Sequence, residues 1–407
     1  MKRITTIMLI TLAAMSAQAS ENSNYVDTKD YKQELSLNSK AAEHGNAEAQ
    51  FNLGSMYYKG LGVTQDYQQA AKWYEKAAEQ GYAKAQLILG KMYYEGISVK
   101  QDYHQAVSWH QKAAEQGDAD AQYGLGVMYE RGEGVARDYP QAVNWYLKAA
   151  EHGHAKAQFN LGAMYEKGLG VMQDYQHAAI WYQKAAELGD AFAQYNLGLM
   201  HYLGTGVMQS YQQAMSWFRK AAEQGFAEAQ YNLGVMYLDG RGVSQDHKQA
   251  ISWFSKAAEQ GHAKAQYNLG IMYSNGQVVS QDHKQAISWY SKAAEQGYAE
   301  AQYGLGVMYD NGLGVSQDYK QAVAWYSKAA EQGHTDAQLG LGSFYYEGRG
   351  VPQDYQRAYA WLSVAASNGN SKAAEFRDLL AKELTPAALV KARALASSYF
   401  KQYQAKQ

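Results

Sequence analysis

The sequence predicts an all-α solenoid of nine αα-hairpin repeats, and three observations carry that prediction. All nine tryptophans (Trp73, Trp109, Trp145, Trp181, Trp217, Trp253, Trp289, Trp325 and Trp361) stand 36 residues apart. A glycine recurs in a fixed register from Gly45 through Gly81 and Gly117 to Gly369, with no insertion. The apolar residues between these marks follow a helical rather than a strand period.

The elements follow in order. Met1-Lys2-Arg3, an apolar run from Ile4 to Ala14, and the small residues of Ala17-Gln18-Ala19 read as a signal peptide over 1–19. The apolar run is too short to span a bilayer, so the expected product is exported, without membrane insertion after signal cleavage. Residues 20–29 read as a polar leader. Residues 30–44 keep the helical register with Leu37 in place of tryptophan and Glu34 in place of alanine, as an N-terminal cap with a solvated face requires.

Repeats begin at 45, 81, 117, 153, 189, 225, 261, 297 and 333 and end at 368. In the first, Ala49, Leu53, Met56 and Tyr57 share one face of a helix A over roughly 46–58. Gly60 follows it, where a left-handed C-terminal cap belongs. Asp66 and Gln69 form a capping-box pattern before helix B, roughly 67–80, which carries Ala70, Trp73, Tyr74 and Ala77. Trp, Leu, Met and one or two Tyr per repeat are expected inside. Residues 369–407 read as C-terminal capping helices. Thr385-Pro386 starts the last of these, and Leu389, Ala392, Leu395, Tyr399 and Tyr403 form its apolar stripe.

Departures sharpen the reading. Gly62 is replaced by Ser98 and Val278 in two repeats, so only the first loop glycine, Gly60 and its counterparts, is expected to need positive φ. A mid-helix glycine recurs from Gly54 to Gly342 at about 1 kcal/mol each against alanine. Close approach of neighbouring backbones is the expected compensation.

Composition limits the chemistry. With 37 basic and 39 acidic residues, a net charge of −2 argues against a nucleic-acid binder driven by bulk charge. Three prolines and no cysteine exclude Pro-rich disorder, a disulfide scaffold, a Cys-ligated zinc site and a thiol nucleophile. Ser398 and Lys401 meet a Ser-x-x-Lys spacing by coincidence, and the eleven histidines contain no His-Glu-x-x-His pair. Neither catalytic residues, nor a metal site, nor a cofactor is expected.

The run Ala49-Gln50-Phe51-Asn52-Leu53-Gly54-Ser55-Met56-Tyr57, then Gly60-Leu61-Gly62-Val63, Asp66, Ala70, Trp73-Tyr74 and Ala77-Ala78-Glu79-Gln80-Gly81, closely resembles the Sel-one-like repeat (SLR) family, relatives of tetratricopeptide repeats. The resemblance covers 45–368 and implies a right-handed α-solenoid whose A helices line a concave surface. It also implies an adaptor role, often in bacterial cell-envelope or host-interaction settings. One branch of the family consists of cysteine-rich secreted proteins reported as β-lactamases, and this chain lacks the cysteines of that branch.

Helix A then offers the candidate binding residues. Counting from each repeat's first glycine, offset 6 reads Phe51, Leu87, Tyr123, Phe159, Tyr195, Tyr231, Tyr267, Tyr303 and Leu339. Offset 7 includes Asn52, Asn160, Asn196, Asn232 and Asn268. Tyrosine offers contact area with a polar handle, and asparagine can donate to and accept from a peptide backbone. These ladders also suit packing between neighbouring A helices. Offset 3, by contrast, changes sign from repeat to repeat: Glu48, Lys84, Asp120, Lys156, Phe192, Glu228, Lys264, Glu300, Asp336. The expectation is a non-enzymatic exported scaffold binding a protein or extended peptide along its concave face. The alternatives are a β-lactamase-like or cell-wall hydrolase activity, and a glycan or peptidoglycan binder. The sequence leaves the partner's identity and the oligomeric state open.

Overall fold

A computed structural model describes residues 28–276 and 279–403. The signal peptide, most of the leader and Val278 lie outside these residues. The described chain falls into two units, 28–188 and 189–403.

The first unit opens with α1 (Thr28–Glu43) and continues as four hairpins. These are α2 (Ala47–Lys59) with α3 (Tyr67–Glu79), α4 (Ala83–Glu95) with α5 (Tyr103–Glu115), α6 (Ala119–Arg131) with α7 (Tyr139–Glu151), and α8 (Ala155–Lys167) with α9 (Tyr175–Glu187). The second unit holds five more: α10 (Ala191–Leu203) with α11 (Tyr211–Glu223), α12 (Ala227–Asp239) with α13 (His247–Glu259), α14 (Ala263–Asn275) with α15 (His283–Glu295), α16 (Ala299–Asn311) with α17 (Tyr319–Glu331), and α18 (Thr335–Glu347) with α19 (Tyr355–Ser367). Helices α20 (Ser371–Glu383) and α21 (Pro386–Tyr403) close it. Among the described residues there is no strand. Within each unit a B helix packs on its own A helix and on the A helix of the next hairpin, the stacking of an all-α solenoid.

Local chemistry sets these boundaries. The Asp66 carboxylate accepts from the backbone N–H groups of Gln68 and Gln69 at 2.9 and 3.0 Å, which satisfies two of the orphan donors at a helix start. Ser210 does the same for α11, accepting from the Gln213 N–H at 3.3 Å. Pro140 falls in the first turn of α7, where its missing N–H costs no helical bond. Gly60, at φ 69°, ends α2 in the left-handed conformation.

The loop corrects one expectation. The second loop glycine is also left-handed: Gly62 has φ 70°, and Ser98 adopts φ 59° in the same place. A Cβ on Gly62 would stand 2.6 Å from the Tyr31 carbonyl oxygen, and one on Gly242 would stand 2.7 Å from that of Tyr211. The loop therefore presses against the preceding B position's backbone, and glycine serves there for space as well as for φ.

The core corrects a second. Eight of the nine tryptophans are half-buried, and the fully enclosed side chain is the next residue: Tyr74, His110, Tyr146, Tyr182, Phe218, Phe254, Tyr290 and Tyr326. Each of those tryptophans lies on the flank of its B helix, and a lysine three residues on holds its ammonium 3.9–4.2 Å from the ring centroid. Such a cation–π contact contributes about 0.5–1 kcal/mol where water reaches it. The indole fills the seam against the preceding hairpin's core, and the lysine stem covers what remains.

The mid-helix glycines meet rings rather than backbone. A Cβ on Gly54 would stand 2.8 Å from the Tyr74 ring, and one on Gly270 would stand 2.5 Å from the Tyr290 ring. From Gly54 to Gly306 each glycine gives its own repeat's buried aromatic a flat seat on helix A, and Gly342 seats Leu362 instead.

A buried amide ladder joins the hairpins. Gln50, Gln86, Gln122, Gln158, Gln230, Gln266, Gln302 and Gln338 are all 5 % exposed or less. Each donates at 3.0–3.1 Å to an alanine carbonyl eight residues earlier, at the end of the preceding B position. Most also accept from the glutamine that ends their own repeat, as Gln50 does from Gln80 at 2.6 Å. Gln158 lacks that second partner, because Leu188 stands in the donor's place and its Oε1 is left unbonded. Such buried amides lock register only when both ends are satisfied.

At the C-terminus, α21 folds back on α19. Tyr399 and Tyr403 lie 4.8 and 5.2 Å from Trp361, which is buried, unlike its eight counterparts. Val364, fully buried, replaces the lysine found three residues after every other tryptophan.

Candidate functional site

In each unit the A helices present a face built from offsets 3, 6, 7, 10 and 13. At offset 6 each aromatic is half-buried and leans on the enclosed ring of its own B helix: Phe51 on Tyr74 (5.6 Å), Tyr123 on Tyr146 (5.9 Å), Phe159 on Tyr182 (5.6 Å), Tyr195 on Phe218 (5.7 Å), Tyr231 on Phe254, Tyr267 on Tyr290 (both 5.7 Å), and Tyr303 on Tyr326 (5.6 Å). A second ring often closes the other side. His154, His262 and His334 stack on Tyr123, Tyr231 and Tyr303 at 4.6–4.7 Å, and Phe226 and Tyr298 approach Tyr195 and Tyr267. Burial raises the phenol pKa of Tyr195, Tyr231, Tyr267 and Tyr303 and lowers that of the His262 and His334 imidazoles.

The offset-7 asparagines approach the phenols of the previous repeat, Asn232 that of Tyr195, Asn268 that of Tyr231 and Asn160 that of Tyr146, and each opposes the rise in phenol pKa that burial causes. Asn196 is half-buried in the same register. The Tyr and Asn ladders are thus woven together, with an edge of each left to solvent. Offset 13 adds acids and tyrosines: Glu130 and Glu166 accept from the enclosed phenols of Tyr146 and Tyr182 at 2.5 and 2.6 Å. Tyr58, Tyr94 and Tyr202 meet the first ring of their own B helix edge-on, and Tyr346 meets its counterpart in a tilted contact, all at 5.0–5.3 Å.

Offset 3 carries the exposed residues. Glu48, Lys84, Asp120, Lys156, Phe192, Glu228, Lys264 and Asp336 are exposed, and Glu300 is half-buried. Asp120 joins Lys91 at 3.1 Å and His154 at 3.4 Å, and with His154 as the larger influence its carboxyl is held well below the usual range. Hollows open on this face in each unit. One, of about 350 Å3, is lined by Phe51, Lys84, Leu87, Ile88 and Asp120. Another, of about 670 Å3, includes Tyr303, Asp336, Leu339 and Gly340. Both draw on offsets 3, 6 and 7.

Sequence reasoning did not single out the glutamine ladder or the lysines over tryptophan, although both were visible, as an Ala-Gln pair in all nine repeats and a Trp-x-x-Lys spacing in eight. Ser398 and Lys401 lie on α21, away from the A-helix face. Among the described residues no group of three or more His, Asp or Glu is placed to hold a metal ion. No described helix is long and apolar enough to cross a membrane.

Comparison with known proteins fits this geometry. The chain is similar to c5321, a protective antigen of uropathogenic Escherichia coli strains displaying an SLR fold. The two are 40% identical over 90% of this chain and 86% of the other, with a TM-score of 0.63. It is similar also to a Sel1 repeat protein from Oxalobacter formigenes, at 36% identity over 79% and 95% of the two chains and a TM-score of 0.61. No curated protein matches it. The Sel1 repeat model matches nine consecutive segments, 47–82, 83–118, 119–154, 155–190, 191–226, 227–262, 263–298, 299–334 and 335–370. This chain, a scaffold of helical hairpins of the kind typical of protein–protein interaction and matched by that model over 47–370, belongs to the Sel1 repeat family.

Proposed function

We propose that this protein is an exported, non-catalytic scaffold that binds an extended segment of another protein along its A-helix face. One observation carries the reading. The hollows of that face are lined by offset-6 rings, Phe51 and Tyr303, together with offset-3 residues whose charge changes from repeat to repeat, Lys84, Asp120 and Asp336. A recurring aromatic frame provides contact area, and a changing charge row provides selection among partners. Export rests on the signal-peptide pattern of residues 1–19, and N-terminal sequencing of the mature protein is expected to begin at Ser20.

The charge row is the place to test binding, because its side chains are exposed whereas Tyr195 and Tyr231 each support two other rings. Glu228→Lys combined with Lys264→Glu is expected to leave the melting temperature unchanged and to lose the partner that co-purifies with the wild type from the native host. Retention of the same partner at the same yield refutes the reading.

A further inference from the structure

The two hollows of the A-helix face open at the same place in two different repeats. Each is lined by the offset-6 residue of one repeat and by offsets 3, 6 and 7 of the next: Phe51 with Lys84, Leu87 and Ile88 in the first unit, Tyr303 with Asp336, Leu339 and Gly340 in the second. Leu87 and Leu339 are the two positions of the offset-6 row where leucine replaces an aromatic ring. Elsewhere a second ring, from offset 1 of the next repeat, often covers the first, as Tyr82 covers Phe51 at 5.2 Å and His154 covers Tyr123 at 4.6 Å. Beside Leu87 the covering position holds Asp118, whose carboxylate accepts from the Ala121 N–H at 2.9 Å. Ile88 stands where five repeats have asparagine. The first hollow, of about 350 Å3, is therefore the space of a missing rung, walled by Phe51, Leu87 and Ile88.

Charge narrows the choice of occupant. Asp120 is taken by Lys91 and His154, and Asp118 caps α6. Lys84 lines the same hollow, is exposed, and makes no ion pair among the described residues, so its ammonium is the uncommitted charge of the site. An apolar concavity on a binding face receives a side chain as an anchor, and a free cation beside it selects what flanks that anchor. We infer that the hollow takes an aromatic side chain of the bound segment, standing in the row where Leu87 leaves a gap, with a carboxylate of the same segment on Lys84. The inference rests on the reading of the A-helix face as a protein-binding surface, and it names the chemistry that one part of that surface selects.

N-acetylphenylalanine, with one ring and one carboxylate, is the smallest probe of this site. Added to the full chain labelled at its isoleucine methyl groups, it is expected to shift the Ile88 signal saturably and to leave those of Ile251 and Ile287, on α13 and α15, in place. N-acetylphenylalanine amide keeps the ring without the charge, and N-acetylalanine keeps the charge without the ring. Each is expected to bind at least fivefold more weakly. Lys84→Glu changes an exposed residue, so it is expected to weaken the acid at least fivefold at an unchanged melting temperature and to leave the amide unaffected. Leu87→Tyr installs the ring that other repeats carry and is expected to weaken both aromatic probes at least tenfold. An unmoved Ile88 signal, equal affinity for acid and amide, or full affinity in Lys84→Glu overturns the inference. Any of these, with the partner still lost from the Glu228→Lys, Lys264→Glu protein, strikes this inference and not the protein-binding reading.

Discussion

Ser98 is a residue under strain for which the sequence alone suggested no cost. Its φ of 59° is one that L side chains adopt at about 1–3 kcal/mol, and the neighbouring repeats avoid the cost with glycine. Ser98→Gly is therefore expected to stabilise the protein by about 1 kcal/mol after the extra chain entropy of glycine is subtracted. Gly242→Ala is expected to destabilise by about 2 kcal/mol or more, since its Cβ meets the Tyr211 carbonyl as well as the positive φ. Midpoints of urea unfolding separate the two, and equal behaviour of both variants would refute the loop-to-helix contact. His110 makes a second residue-scale case. It occupies the enclosed ring position of the second repeat with its Nδ1 unbonded. Burial pushes its pKa down to about 4, with Lys91 adding to the effect and Asp120 opposing it. Between about pH 6.5 and 4 the unfolded chain binds a proton that the folded chain refuses, so stability rises with pH there and is lost on acidification. The loss approaches about 3 kcal/mol for one fully buried imidazole. His110→Phe keeps the volume and removes the proton site, so its melting temperature is expected to fall less than that of the wild type between pH 7 and 4.5.

At the scale of the element, the terminal helix shows what a repeat does when it has no successor. Helix α21 lies on α19 and encloses Trp361, and the sequence answers with Val364 where every other repeat has lysine. Val364→Lys places an ammonium in a fully buried site, which costs about 3 kcal/mol or more. The variant is expected to release α21, and the red shift of Trp361 fluorescence reports it; an unshifted spectrum at full helicity would show that α21 does not depend on this seat. Much of this architecture was legible beforehand. Helix bounds, caps and the first loop glycine follow from spacing and cap chemistry that act within a dozen residues. What escaped were contacts between hairpins. Trp73 and Tyr74 are adjacent apolar aromatics, and periodicity alone does not tell which one faces helix A and which the seam. Gly62 looked dispensable because its constraint comes from Tyr31, one repeat back. The approach of each ladder asparagine to a phenol of the previous repeat has no local signature either.

For the molecule as a whole, the consequence is that stability resides between hairpins. A hairpin of 36 residues orders its backbone at about 1–2 kcal/mol per residue, and the four or five large side chains it buries return about 1.5–3 kcal/mol each. It depends on neighbours for the rest. The connecting parts are specific: a ring seated on glycine within the hairpin, an indole across the seam behind it, and a glutamine bonded into the hairpin before. All of these recur every 36 residues, so removing one whole repeat rejoins equivalent surfaces. Deleting 117–152 brings Gln116 against Gly153, a junction of the kind the chain already uses. That variant is expected to keep its helical content per residue and to melt a few degrees lower, as nearest-neighbour stacking requires. Deleting 117–134 instead leaves Tyr146 with no glycine seat and no Glu130, and exposes the apolar face of α7. It is expected to lose helicity well beyond the deleted segment. Circular dichroism decides between a stack of coupled hairpins and a chain of helices that stand alone, because only the second tolerates both deletions equally.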